Sequence, residues 1–240
     1  MAKISTSAST LMPVADARAR ILDAMKTVSA ESVSLAQARG RVLADDVIAR
    51  VTQPPVAVSA MDGYAVRAAD VASVPATLTV IGEAPAGGAF DGNVGAGQAV
   101  RIFTGGPVPT GADAIVIQED TMRDGDQVTV KEAVLAGRFI RPAGLDFSAG
   151  DVGVEAGRTL TARDIALCAA MNVPWLRVRR RPRVAVLANG DELVMPGDTI
   201  GPNQIVSSNN VGLCALIDAS GGEAIDLGIA PDDADGLVAM

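Results

Sequence analysis

The 240-residue chain has no histidine. That absence removes a Ser-His-Asp triad, a histidine general base and histidine-ligated zinc from its chemistry. Acid–base or metal work is left to Asp, Glu, Lys, Thr, Ser or Tyr. Cysteine occurs only at Cys168 and Cys214, each inside an apolar, helix-like stretch. Both are read as small buried hydrophobes, not as a disulfide or a metal pair. Aromatic residues make up 2% of the sequence and apolar residues 49%, so a core has to be assembled from Ala, Val, Leu and Ile. No segment approaches the roughly 20 apolar residues needed to span a bilayer. The opening Met1-Ala2-Lys3-Ile4-Ser5-Thr6-Ser7 lacks the apolar run of a signal peptide, so a cytoplasmic protein without a membrane partner is expected. A formal net charge of −8 disfavours nucleic acid as a partner. The basic run from Arg177 to Arg183 goes against that trend and is read as a solvated strand and linker.

Residues 13–28 are expected to form a helix, because Val14, Ala17, Ile21, Leu22 and Met25 share a face at helical spacing. Ser34 and Gln37 make a capping-box pattern, which predicts a second helix from Ser34 to about Asp45. Beyond Val47, proline and glycine become frequent. Short runs of β character appear at 78–81, 99–103, 114–118 and 128–131, with turn signals at Asp91-Gly92 and Asp124-Gly125. This reads as a small β-rich domain over 50–148. Thr161 opens another helix, with Asp164 at its third position. The apolar run 184–188, between Pro182 and Asn189-Gly190, predicts a strand buried on both faces, as in a parallel sheet. A helix over 208–219 is stopped by Gly221-Gly222, and a second strand follows at 224–229. Strand, helix, strand is the opening of a doubly wound α/β unit, and two such strands do not make a sheet covered on both faces. The α/β part is therefore expected to be incomplete, within a multi-domain fold that combines α+β and α/β parts.

Four loop acids stand out. Pro54 and Pro55 lead in extended backbone to Ser59-Ala60-Met61-Asp62-Gly63-Tyr64-Ala65. There Asp62 and Gly63 read as a turn that presents a carboxylate, although an Asp-Gly pair by itself is ordinarily only a turn. Asp146 is a second loop carboxylate. Asp191 and Glu192 follow directly from the 184–188 strand, and ligands of open α/β sheets bind beyond the carboxyl ends of the strands. Adjacent carboxylates there suit Mg²⁺, which takes one or two protein carboxylates and fills its shell with water and phosphate oxygens; a solvated turn is the competing reading. The acids after Pro231 could line the same crevice, but they are read as the start of the next helix, where negative charge suits the dipole. Thr104-Gly105-Gly106-Pro107-Val108-Pro109-Thr110-Gly111 has amides that can meet an anion and a hydroxyl that can donate. It lacks the lysine and spacing of a Walker A loop, and a structural turn is the simpler reading. Loop acids without histidine fit metal-assisted chemistry on phosphate or oxyanion substrates, without identifying the substrate.

Taken in order, the segment around Asp62, the segment Thr104 to Asp113, and Asn189-Gly190-Asp191-Glu192-Leu193 with Pro196-Gly197 resemble the MoeA family. These are the molybdopterin molybdenumtransferases related to the E domain of gephyrin. Arg141 through Asp146 and Ser207-Ser208-Asn209 belong to the same resemblance, which covers nearly the whole chain. It implies molybdenum cofactor biosynthesis: molybdenum from molybdate enters adenylylated molybdopterin, AMP leaves, and Mg²⁺ assists. It implies Asp62, Thr104 and Glu192 as catalytic residues, Asp62 and Glu192 as metal ligands, and Thr104, Asp146 and Asp191 as binders of the cofactor precursor. It also implies a homodimer in which Glu192 of one subunit faces Asp62 and Thr104 of the other, and contact with further proteins of the same pathway. The implied domains are an elongated helical connecting domain (30–49 with 149–179), the β-rich domain (50–148) and a partial MogA-like α/β domain (10–29 with 180–240). The chain departs from the family pattern at Ala188-Asn189, where a hydroxyl residue is common, at Gly106 in place of Ala, and at Leu145 in place of Glu. Family members run well past position 240, and groups that bind the pterin phosphate and molybdate lie in that stretch. The alternative is a non-catalytic cofactor-binding or scaffold fragment of the same family.

Overall fold

The computed structural model describes residues 12–239. The described chain forms two compact units, one built from Ser34–Arg39 and Asp45–Leu176, the other from the remaining segments up to Val33, Gly40–Ala44 and from Arg177 onward.

The first unit is organised by a six-stranded sheet. Its strands are β1 (Gly63–Val66), β2 (Ala76–Ala84), β3 (Gln98–Ile102), β4 (Ala114–Ile117), β5 (Thr121–Asp124) and β6 (Gln127–Val130). They lie in the order β4-β1-β3-β2-β6-β5, antiparallel except for the β2–β3 pair. Side chains alternate across the pleat, so both faces carry a core. Tyr64, Val66, Leu78, Val116, Val128 and Val130 pack on one side, and Ala65, Val100, Ile102, Ile115 and Val94 on the other. Branched aliphatic residues fill both, as the scarcity of aromatics requires.

The four expected β runs became β2, β3, β4 and β6. Two strands were not expected, β1 and β5. β1 hides within the segment read as an Asp-Gly turn, and there the reading of Gly63 needs correction. Gly63 is not among the positive-φ glycines. A Cβ built on it would lie 1.9 Å from the Val116 carbonyl oxygen, so glycine is required by the close approach of β1 to β4 and not by a turn dihedral.

Five α-helices occur among the described residues: α1 (Val14–Ala24), α2 (Leu35–Ala38), α3 (Ala162–Ala170), α4 (Asn209–Ala219) and α5 (Ala234–Ala239). None is long and apolar enough to cross a membrane. α1 forms where expected, but its apolar face is left in solvent, with Val14 86% and Leu22 63% exposed. The helix expected from Ser34 to Asp45 is a single turn, α2. Ser34 Oγ donates to Gln37 Oε1 at 3.1 Å and does not cap the backbone. Gly40, at φ +75°, then turns the chain out of the helix, and Val47–Ile48 pairs with Val152–Val154.

α3 starts at Thr161 as expected, and a capping box holds that start. Asp164 N–H donates to Thr161 Oγ1 at 3.3 Å, and Asp164 Oδ2 accepts from the Thr161 N–H and hydroxyl at 2.8 and 2.7 Å. Arg158 Nε sits 3.0 Å from the other carboxylate oxygen. The Thr161 hydroxyl, then its N–H, then Arg158 hold Asp164 below the usual carboxylate range. A depressed folded-state pKa stabilises above the unfolded value, and that contribution is lost as pH falls through the folded one. Thr161→Ala is expected to cost about 1 kcal/mol near neutral pH, and urea midpoints should show the gap to wild type narrowing below about pH 4, the unfolded aspartate value.

The second unit contains a parallel pair, β7 (Arg183–Asn189) and β8 (Glu223–Ala230), with α4 packed on both. Asn210 on α4 is buried and its amide donates to Asp226 Oδ1 at 2.9 Å and to the Gly228 carbonyl at 3.0 Å. This side-chain bridge fixes the helix to β8. The expectation of burial on both faces is corrected. Val186 is buried, but Val184 is 38% and Leu187 36% exposed, because a two-stranded sheet with one covering helix leaves apolar residues in solvent.

Candidate functional site

Two loops of the first unit are stitched together by their backbones. Ser59 N–H donates to the Gly106 carbonyl and Gly105 N–H donates to the Ser59 carbonyl, both at 2.9 Å. Buried Ser59 turns its hydroxyl onto the Met61 carbonyl at 2.6 Å. With the loops in register, Thr104 delivers its N–H and its hydroxyl to one oxygen of Asp62, Oδ1, at 2.7 and 2.8 Å. Those two donors, N–H first, together with the charge of Arg101, hold Asp62 below the usual carboxylate range. Oδ2 accepts no hydrogen bond from the described residues. The result is an anion fixed at one oxygen and available at the other.

Gly106 lies at the same junction. A Cβ there would stand 2.5 Å from the Ala84 carbonyl oxygen and 2.9 Å from that of Phe103. Glycine at 106 is therefore fitted to this packing.

Arg101 is the residue that the sequence reading missed. It projects from β3, its Nη1 donates to the Gly63 carbonyl at 3.1 Å and its Nη2 to Gln118 Oε1 at 2.8 Å. Gln118 N–H in turn donates to the Asp62 carbonyl at 3.0 Å. The guanidinium lies 5.2 Å from the Tyr64 ring centroid and 4.8 Å from that of Phe103, within cation–π range. The available signal was a lone cation inside the otherwise apolar run from Ala99 to Phe103.

A cleft of about 790 Å³ adjoins this pair, sharing Gly105, the residue after Thr104. Asp146 and Arg141 both line it. Asp146 N–H donates to the Gln53 carbonyl at 3.0 Å, and Arg141 pairs with Val58 in a short antiparallel ladder. Of the sequence-predicted residues, Asp62 and Thr104 are thus in direct contact, with Asp146 on the neighbouring cleft.

Asp191 and Glu192 belong to the second unit. They stand, exposed, at the carboxyl end of β7, where the strand-end argument put them. Gly190 has φ +143°, and a Cβ on it would lie 2.6 Å from Glu192 Oε2, so the Glu192 carboxylate folds back over the glycine. Asn189 Nδ2 donates to Asp232 Oδ1 at 3.1 Å, and the Asp232 N–H donates to Asp191 Oδ1 at 3.3 Å. Asp232, assigned from sequence to the next helix, is therefore tied into the same strand-end turn. α5 starts only at Ala234. Among the described residues, no group of three or more His, Cys, Asp or Glu side chains is placed to hold a metal ion.

Comparison with known proteins finds relatives of the chain. The family model described as the MoeA N-terminal region (domain I and II) matches residues 12–172. The molybdopterin molybdenumtransferase of a Nostoc species is 41% identical over 207 residues, covering 85% of this chain and 48% of the relative. Molybdopterin molybdenumtransferase 2 of Mycobacterium tuberculosis is 38% identical over 217 residues, covering 89% and 54%. The crystal structure of a molybdopterin biosynthesis MoeA protein from Pyrococcus horikoshii superposes with a TM-score of 0.88 at 34% identity, covering 94% of this chain and 62% of that one. The chain spans about half the length of the two molybdenumtransferases. With a family model matching well over half of its residues, and with its fold shared by a MoeA structure, the chain belongs to the MoeA family.

Proposed function

We propose that this chain acts in molybdenum cofactor biosynthesis, in the step that moves molybdenum from molybdate into adenylylated molybdopterin with release of AMP. The observation that carries the reading is the Asp62–Thr104 contact, in which one carboxylate oxygen takes two donors from the glycine-proline loop and the other stays open. The names of the Nostoc and Mycobacterium relatives support the substrate. In this reading Asp62 and Thr104 serve the pyrophosphate link, Asp146 holds the precursor, and Asp191 and Glu192 come from the second subunit of a homodimer in the cytoplasm.

Mg²⁺ fits the donor set in one specific way. With no three-ligand cluster among the described residues, the ion has to be held by one or two carboxylates and completed by water and phosphate oxygens, the usual habit of Mg²⁺. Asp62 Oδ2 supplies one such ligand, and Glu192 the second in the dimer. When bound, the ion would neutralise phosphate charge. Gln118 and Arg101 hold the carbonyls of Asp62 and Gly63, and the Thr104 donors keep the carboxylate ionised and oriented.

The direct test is AMP release from adenylylated molybdopterin by the full chain, with Mg²⁺ and molybdate varied independently. Release that requires both supports the insertase reading. A folded protein that retains the precursor without releasing AMP supports the non-catalytic cofactor-binding fragment instead.

A further inference from the structure

Arg101 is a cation whose direct contacts are all neutral groups. It stands opposite Tyr64 in the β1–β3 ladder and opposite Glu83 in the β2–β3 ladder, yet no ion pair joins it to a carboxylate among the described residues. Its Nη1 goes to the Gly63 carbonyl at 3.1 Å and its Nη2 to Gln118 Oε1 at 2.8 Å. Its guanidinium lies near two rings, Tyr64 on the neighbouring strand and Phe103 two positions along its own chain. Side chains alternate along a strand, so positions 101 and 103 share a face. A planar fork of donors and the ability to stack on rings are what separate arginine from lysine. A lysine would keep the charge but has no fork to serve two acceptors at once.

The two acceptors close a ring around one peptide. Gln118 takes Arg101 on its side chain and returns its own N–H to the Asp62 carbonyl at 3.0 Å. The Gln118 carbonyl accepts from the Thr121 hydroxyl at 2.8 Å, which fixes the short turn that carries it. The carbonyls of Asp62 and Gly63 are thus both held, and the Asp62 side chain leaves this held backbone toward Thr104. We infer that Arg101 is a positioning residue for the proposed reaction: through its shape, not its charge, it closes the ring with Gln118 that keeps the Asp62 carboxylate on the Thr104 donors. The inference rests on the insertase reading for the identity of the reaction. The placement of Asp62 itself is measurable without substrate.

Hydrogen exchange at the Thr104 amide, which donates to Asp62 Oδ1, reads that placement in the full chain by NMR. Arg101→Lys should speed this exchange about tenfold, the scale on which a hydrogen bond to a charged acceptor is lost. The Val128 and Val130 amides of β6, a strand paired on both sides, should keep their wild-type protection. Gln118→Leu, at an exposed position, removes one acceptor of the fork and tests the same ring without touching the sheet. It should act in the same direction, and the double variant should exchange no faster than Arg101→Lys alone, because the two residues belong to one network. In AMP release, Arg101→Lys should lower kcat by about 100-fold, the effect of misplacing a group by an ångström, at nearly constant KM for the precursor. Unchanged Thr104 exchange in both variants, or a wild-type kcat in Arg101→Lys, overturns the inference. Exchange that rises equally in β6 also overturns it, by making Arg101 a support of the sheet alone. Absence of AMP release from the wild-type protein would instead overturn the insertase reading, and Thr104 exchange would still decide whether Arg101 places Asp62.

Discussion

Gly63→Ala is expected to destabilise the six-stranded unit by about 3 kcal/mol or more, beyond the usual cost of overpacking by one methyl. The added carbon would begin 1.9 Å from the Val116 carbonyl oxygen, with the Val116 carbonyl carbon at 2.9 Å. These are backbone atoms of a neighbouring strand, so no side-chain rotation relieves the clash. β1 is central, paired with β3 on one side and β4 on the other, and its residues are buried on both faces. Moving it disturbs both cores at once. Gly125 provides the contrast. It has φ +55° and open space around it, so Gly125→Ala should cost only the left-handed penalty of about 1–2 kcal/mol. Urea unfolding with both midpoint and m-value recorded separates the two variants. A Gly63→Ala protein with a wild-type midpoint would mean that β1 and β4 are not this close. The substitution should also damage the site, since the Gly63 carbonyl receives Arg101 and Asp62 is the preceding residue.

What the sequence disclosed follows the range of the forces involved. Local signals succeeded. Thr161 and Asp164 announce a helix start through neighbours three residues apart, and the apolar run before Asn189 announces a strand. Where tertiary pairing overrides a local pattern, the reading failed. Ser34 and Gln37 look like a capping box, yet Gly40 and the pairing of Val47–Ile48 end the helix after one turn. Gly63 looks like a turn glycine, and only the approach of Val116 shows why no other residue fits. The site behaves in the same way. Asp62 and Thr104 were recognised as loop residues of suitable type, but their contact spans 42 positions and no spacing rule encodes it. Arg101 was missed because its role depends on two aromatic rings and a carbonyl brought together by the β1–β3 register. Asp232 was weighed for the crevice and given to the next helix, because the β7–β8 pairing, not the local chain, carries it to Asp191.

Asp62→Asn should abolish most of the proposed turnover while leaving the fold intact. The asparagine carbonyl still accepts from both Thr104 donors, so the loop junction survives. What is lost is the negative charge at the open oxygen. Removal of a charged ligand of this kind should lower the initial rate of AMP release by more than about 100-fold, since partners one shell further out typically cost 10–100-fold. Thr104→Val removes the hydroxyl at 2.8 Å and keeps the N–H at 2.7 Å. It leaves the charge in place but less firmly held, and its expected loss is about 10–100-fold. Thr104→Ser should recover most of that loss by restoring the donor. The double variant decides how the two residues are related. If Thr104 works by orienting Asp62, Asp62→Asn with Thr104→Val should be scarcely slower than Asp62→Asn alone, because residues acting as one unit are strongly non-additive. Multiplied losses in the double variant would instead give Thr104 a contact with the substrate that does not pass through Asp62. The same set, read for its effect on KM against kcat, then locates that contact: a rise in KM at constant kcat marks binding of the ground state, and an equal fall in kcat and kcat/KM marks an interaction made only in the transition state.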